Sequence, residues 1–261
     1  MHPIERLRFV ARSTGAPPAE LAFEAAEALA SLAREPRALV PACRRLLEAQ
    51  PHNAPLWWVS AHVLAAVDPE GVAQECARRL LGDLTPLELT YALPAGARVA
   101  IEAAASALAG LAERPDLELR LVGGPLELRA GLAELAGGIG GGPPGVGHRP
   151  DEVEAALLGA GLVVVEAEAA SSREMLLRPV GADLARAAAA GGIARWVVVG
   201  TGRVLPEPLF ARCVAGSPGL VVEVALATQV VGPNGRVDPS AGLDPGDCPV
   251  PGSLSVAPRR R

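Results

Sequence analysis

Two segments, Leu162 to Val165 and Trp196 to Val199, are unbroken apolar runs rich in valine. They lack the polar alternation of a strand that shows one face to water. A strand buried on both faces belongs to a parallel sheet covered by helices. Between the two runs, Gly181 to Ala190 reads as a helix. The same alternation extends outward in both directions. Arg98 to Ile101 is a short β-rich run followed by an alanine-rich helix through Leu111. Leu117 to Val122 is a strand entering Gly123 and Gly124, Leu126 to Leu135 is helical, and Leu220 to Leu226 is a further strand. Strands alternating with helices of about ten residues predict a doubly wound, mostly parallel sheet. Composition agrees: half the residues are hydrophobic yet only 3% are aromatic. The core is therefore built from Ala, Leu and Val, side chains that let helices pack closely on a sheet.

The first third of the chain has a different period. Leu21, Ala25, Ala28, Leu29 and Leu32 recur at helical spacing, with Pro17 and Pro18 where a first turn tolerates them. A second helix is expected over Ala38 to Ala49, ending before Pro51. A third begins near Ala54 and Pro55. Pro69 and Gly71 read as a turn before a fourth helix, Val72 to Leu81, which Gly82 ends. The composition breaks at Pro94 to Gly96. The expected organisation is thus a helical N-terminal domain over 1–94 and a Rossmann-like α/β domain over 95–261. Within the latter, a Gly/Pro-rich linker is expected at 137–150 and an irregular tail from about 232.

Bulk properties narrow the function. The formal net charge of −5 argues against a broad nucleic-acid surface, and the basic cluster Arg259, Arg260, Arg261 reads as a solvated tail. All cationic residues are arginine, which together with the abundance of Ala, Gly and Pro reads as GC-rich, bacterial coding. No apolar run approaches the ~20 residues that span a bilayer. The N-terminus, with Glu5 among Arg6 and Arg8, lacks the apolar stretch of a signal peptide, so a cytoplasmic location is expected. Cys43, Cys76, Cys213 and Cys248 form no C-x-x-C pair and are expected to be buried thiols. His2, His52, His62 and His148 are scattered; neither a metal site nor a cofactor is expected.

Three local patterns bear on chemistry. Gly140 to Gly145 formally satisfies G-x-G-x-x-G, but no strand precedes it and two prolines interrupt it, so a flexible linker is the better reading. Gly200-Thr201-Gly202-Arg203 follows the strand ending at Val199, where open α/β sheets bind ligands. Glycines there let a ligand approach the backbone, and Arg203 could pair with a phosphate; a tight turn with a solvated arginine fits the same residues. Glu166 and Glu168 end the strand Leu162 to Val165 on the same side. Either could be a buried acid or base with a raised pKa, or both could be solvated. No G-x-S-x-G elbow and no Walker A motif occurs, and without lysine a P-loop lysine is impossible.

Several of these pieces follow the order of one family. Ser13-Thr14-Gly15-Ala16 with Glu20-Leu21-Ala22 resembles its N-terminal "GA…(E)LA" segment, and Pro51-His52-Asn53-Ala54-Pro55-Leu56 its "RPSMAPL"-like turn. Gly161 to Gly181 is similar to its "D-x-V-x-x-G-A-D…N-K-x-G-T", and Arg195 to Gly200 stands in place of its "P-V-x-V" strand. The chain thereby resembles the alpha, beta and delta subunits of translation initiation factor 2B, methylthioribose-1-phosphate isomerase and ribose-1,5-bisphosphate isomerase. The resemblance implies a homodimer joined through the C-terminal domain and a phosphosugar or nucleotide-like pocket between the domains. Lining it would be Gly15, Ala16, Arg178, Gly181, Gly200, Gly202 and Arg203, with Glu168 and Glu166 as the catalytic candidates.

The departures are specific. The isomerases carry a cysteine in a strand-end "T-H-C-N" loop, where this chain reads Ile101-Glu102-Ala103-Ala104-Ala105-Ser106. Glu168 aligns with the acid of "G-A-D". Arg178-Pro179 replaces "N-K", and Gly181-Ala182 replaces "G-T". Shuttling a proton between sugar carbons needs a positioned acid/base pair, and Glu168 has lost its thiol partner. Three readings follow: a non-catalytic or regulatory binder of a phosphorylated metabolite, an isomerase with a rearranged site, or a structural dimeric interaction protein. The first is preferred. Because those regulatory subunits act in a eukaryotic complex, a translation role is not expected.

Overall fold

A computed structural model describes residues 3–102, 106, 108–111, 113–123 and 150–255. Its helical part comprises α1 (Pro3–Arg12), α2 (Pro18–Leu32), α3 (Pro36–Ala49), α4 (Ala54–Ala65), α5 (Pro69–Leu81) and α6 (Thr85–Ala92). Proline sits in the first turn of α2 through α6, where its fixed φ suits a helix and its missing N–H costs nothing. Asn53 caps α4 by accepting from the Leu56 N–H at 3.0 Å, and Asp68 caps α5 by accepting from Gly71 at 3.1 Å. That cap starts α5 at Pro69, so the expected turn at Pro69 and Gly71 is the helix's first turn.

The remainder is α/β: β1 (Arg98–Glu102), α7 (Leu108–Leu111), β2 (Glu118–Val122), α8 (Pro150–Leu157), β3 (Leu162–Ala170), β4 (Glu174–Leu177), α9 (Pro179–Ala190), β5 (Ala194–Val198), α10 (Glu207–Val214), β6 (Leu220–Glu223), β7 (Gln229–Gly232), β8 (Gly235–Val237) and α11 (Gly252–Ser255). The main sheet has the order β2-β1-β3-β5-β7-β8, parallel except for β8. Strand order reverses between β1 and β3, the topological switch point where such sheets open a ligand crevice. The expected helix 126–135 and linker 137–149 lie outside the described residues, and Pro150 opens α8.

Two expectations are corrected. The strand expected over Leu220 to Leu226 ends at Glu223 and continues as a 3-10 turn, Val224 to Leu226. It pairs antiparallel with β4, which in turn pairs antiparallel with the far end of β3. The described segment after Gly232, up to Ser255, is largely irregular but packs against the fold rather than trailing from it. It carries β8, and Leu243, Cys248 and Leu254 are buried. These apolar residues are spaced singly among Pro and Gly, with no period to betray them.

The helical core does not close on itself. Leu29, Leu46, Leu56 and Trp57 pack in one cluster with Leu176, Leu205, Phe210 and Leu254 from the α/β part. His52 Nδ1 lies 2.7 Å from the Cys213 carbonyl, and Trp57 Nε1–H donates to Pro51 at 2.7 Å. The turn Pro51 to Asn53 thereby fastens α4 to α10. One face of the main sheet packs Val163, Val165 and Val197 against Leu184, Ala185 and Ala188 of α9, and the other packs Ile101, Val164, Val198 and Val231 against Leu89 of α6. No helix among the described residues is long and apolar enough to cross a membrane.

Candidate functional site

At the switch point β1 ends on Glu102, and β3, which runs on to Ala170 past the strand end expected at Val165, presents Glu166 where its pairing with β5 ends. Glu102 is wholly buried and Glu166 is 2% exposed. Burying a carboxylate requires partners, and each glutamate is matched to an arginine. Arg203, itself 6% exposed, pairs through Nη2 with Glu166 and donates from Nη1 to the Ala167 carbonyl. Ser106 completes the Glu166 shell, its hydroxyl donating to Oε1 at 2.9 Å and its amide N–H donating to Oε2. Glu102 Oε1 accepts from Arg178 Nε, while Arg178 Nη1 lies 3.7 Å from Glu168 Oε1. The result is a chain of charge, Glu102–Arg178–Glu168, beside the pair Glu166–Arg203.

Arg178 is the N-cap residue of α9, and its side chain makes no capping bond. Gly181 lies in the first turn of that helix; a Cβ there would stand 2.8 Å from Glu102 Oε2. Glycine is what lets a carboxylate reach the amino end of α9, where the helix dipole favours negative charge. Two polar atoms of the cluster are nevertheless buried without a hydrogen-bond partner among the described residues, Glu102 Oε2 and Arg178 Nη2. Burial raises the Glu102 pKa, with Glu166 and Glu168 adding to the rise and Arg178 opposing it. Burial lowers that of Arg178, but the Glu102 charge and its hydrogen bond outweigh it, holding the guanidinium above its ordinary value.

The candidate residues divide between places. Glu166, Glu168, Arg178, Gly181 and Arg203 come together in the cluster. Gly200 and Gly202 instead line a cavity of about 540 Å³ beyond β5 and β7, with Trp58, Arg79, Val230 and Asp247 among its other walls. Gly202 needs its φ of +76°, and a Cβ there would press on Trp58 at 3.2 Å. Asp83 fixes this turn, accepting from the Thr201 N–H at 3.0 Å and from Thr85 Oγ1 at 2.6 Å. Gly15 occupies an exposed turn between α1 and α2 at φ +79°, and Ala16 packs on the helical core. Neither enters the hydrogen-bonded cluster.

Sequence reasoning missed Glu102, Ser106 and Asp83. Glu102 carried a readable signal: like Glu166, it is a carboxylate ending an apolar strand, Val99-Ala100-Ile101. The thiols are remote chemically. Cys43, Cys76, Cys213 and Cys248 are all buried and free, and burial pushes each pKa up to about 12. A thiol so raised supplies little thiolate for nucleophilic or acid/base work.

No family model and no curated protein matches the sequence. Solved structures do. The translation initiation factor eIF-2B of Pyrococcus horikoshii OT3 superposes with a TM-score of 0.70 at 16% identity, over 91% of this chain and 97% of that one. The tetrameric eIF2B-beta2-delta2 complex from C. thermophilum also gives 0.70, at 14% identity over 91% and 90% of the two chains. The 5-methylthioribose 1-phosphate isomerase of Pyrococcus horikoshii OT3 gives 0.59 at 14% identity, over 92% and 85%. At such identities the likeness is one of fold: this chain is built on the architecture that these translation-factor subunits and this isomerase share.

Proposed function

We propose that the protein binds a phosphorylated small molecule at the switch-point cluster and does not isomerise it. The observation that carries this reading is Arg178 Nη2, a buried guanidinium donor without an acceptor among the described residues, at the amino end of α9. A phosphate oxygen supplies the acceptor, the guanidinium gives a charge-assisted bond, and the first-turn amides of α9 favour the same anion. Glu168, half-buried and 3.7 Å from Arg178 Nη1, is placed to accept from sugar hydroxyls. Isomerisation is disfavoured because alanine stands at position 103 in place of the family's thiol, and Glu166 is occupied by Arg203 and Ser106. A thermal-shift screen against aldose phosphates and nucleotides tests this, since a ligand that binds only the native state raises its melting temperature. An aldose phosphate that raises Tm and is recovered unchanged is the expected outcome. Conversion to the ketose, abolished by Glu168→Gln, would instead establish the isomerase reading.

The assembly reading rests on the resemblance: a homodimer joined through the α/β part. Cyclic dimers are the commonest symmetric oligomer. Light scattering should give twice the chain mass of 26.6 kDa at micromolar concentration; a single-chain mass would refute it.

A further inference from the structure

The cluster holds more carboxylates than cations. Glu102, Glu166 and Glu168 face Arg178 and Arg203, so a phosphate arriving at Arg178 meets a competitor already in place. That competitor is Glu102. It is wholly buried, its Oε1 is bonded to Arg178 Nε, and its Oε2 has no partner among the described residues and lies against Gly181 in the first turn of α9. One internal anion thus occupies the helix end and one edge of the guanidinium on which an external anion depends. Resting on the reading of Arg178 as the phosphate contact, we propose that anion binding there is coupled to uptake of a proton by Glu102, which makes the site a phosphate receptor favoured by acid.

Two negative charges cannot share a buried cradle without one being neutralised. The external anion brings its charge with it, and Glu102 is the internal group able to give its charge up. Among the described residues the charged groups acting on Glu102 are Arg178 from the start of α9 and Glu166 and Glu168 from β3. Arg178 favours its ionised form, while both glutamates, and the bound anion with them, favour its protonated form. Burial raises its pKa in the same direction. The sign follows: the anion raises the Glu102 pKa further, the complex holds one more proton than the free protein, and affinity falls as pH rises. In the window where Glu102 is ionised in the free protein but protonated in the complex, one proton corresponds to a change of up to about tenfold in affinity per pH unit. Oε2 is then the protonated oxygen, since Oε1 already accepts from Arg178.

Inorganic sulfate is the suitable probe, because its own charge does not change across the neutral range. Calorimetric titration of the full chain at several pH values, in buffers of different ionisation heat, gives both affinity and protons taken up. The expected result is a sulfate affinity that falls with rising pH, with up to one proton entering per sulfate. Glu102→Gln, which keeps an acceptor for Arg178 Nε but removes the charge, should bind sulfate more tightly at the alkaline end and show a flat profile. Wild-type binding of equal strength at every pH, without proton uptake, overturns the coupling and leaves the anion site standing. Failure of sulfate to bind either protein at any pH overturns the site at Arg178 itself. Should Glu102→Gln fail to fold, the wild-type proton count decides alone.

Discussion

Glu166→Ala should destabilise the fold by about 3–5 kcal/mol, the usual effect of removing one partner from a buried ion pair. The reason is what it strands. Arg203 is 6% exposed, and without Glu166 its guanidinium keeps one carbonyl, that of Ala167, against the full cost of burying a charge. Ser106 loses its acceptor for both hydroxyl and amide. Urea unfolding reads the effect as a lower midpoint at unchanged slope. A double variant, Glu166→Ala with Arg203→Met, should recover much of the loss, because an apolar side chain of similar length needs no counter-charge. A single-variant loss under about 1 kcal/mol would mean that water reaches the pair, and Glu166 would then return as a candidate acid or base.

The second large effect is on binding. In a Glu102→Gln background, Arg178→Ala removes the guanidinium without stranding a buried carboxylate. It should weaken binding of an aldose phosphate by about 1.5–3 kcal/mol, the range for hydrogen bonds to charged groups, or roughly ten- to 150-fold. Isothermal titration against Glu102→Gln alone isolates the contact. Equal affinities would show that the ligand binds elsewhere, and the cavity beside Trp58 and Arg79 becomes the first alternative.

The two effects divide arginines that look alike in sequence. Arg203 follows a strand-end glycine pair, the expected address of a phosphate contact, yet its side chain turns inward to Glu166. Arg178 precedes a proline and is singled out only by the resemblance, at the place of "N-K", yet its Nη2 has no acceptor among the described residues. Which carboxylate an arginine meets depends on chain segments far apart: Arg203, in the turn after β5, meets Glu166 within β3, and Arg178 reaches back to β1. Sequence carries no signal for such pairings. The apolar strands were legible because burial on both faces leaves valine runs, as at Leu162 to Val165. The helices α2 to α5 were legible because period and proline agree. Helix α6 was not: Leu89 is buried while Leu84, Leu87 and Tyr91 are exposed, so apolar residues occupy both faces and no stripe emerges. Helix α1 buries only Leu7 and Val10 and leaves Ile4 and Phe9 exposed. Strands β4, β7 and β8 have only four, four and three residues, too short for alternation to register.

Glu102 shows how a resemblance can hide a residue. Read against the family loop, Ile101 to Ser106 registers as a missing thiol. By its own chemistry, it is a carboxylate at the end of a buried strand, at the switch point, facing the amino end of a helix. Relative to that loop the chain lacks the acid/base thiol at Ala103 and carries a charge at Glu102, and under the proposed reading both differences favour holding a ligand over transforming it.

The most direct test of this account is a crystal structure of the chain soaked with an aldose phosphate such as ribose 5-phosphate. The intact aldose is expected between the end of β1 and the Glu166–Glu168 stretch of β3, its phosphate within hydrogen-bond reach of Arg178 Nη2 and a hydroxyl on Glu168. Density for the sugar in the cavity lined by Trp58, Arg79 and Gly200, with the Arg178 guanidinium untouched, would contradict it.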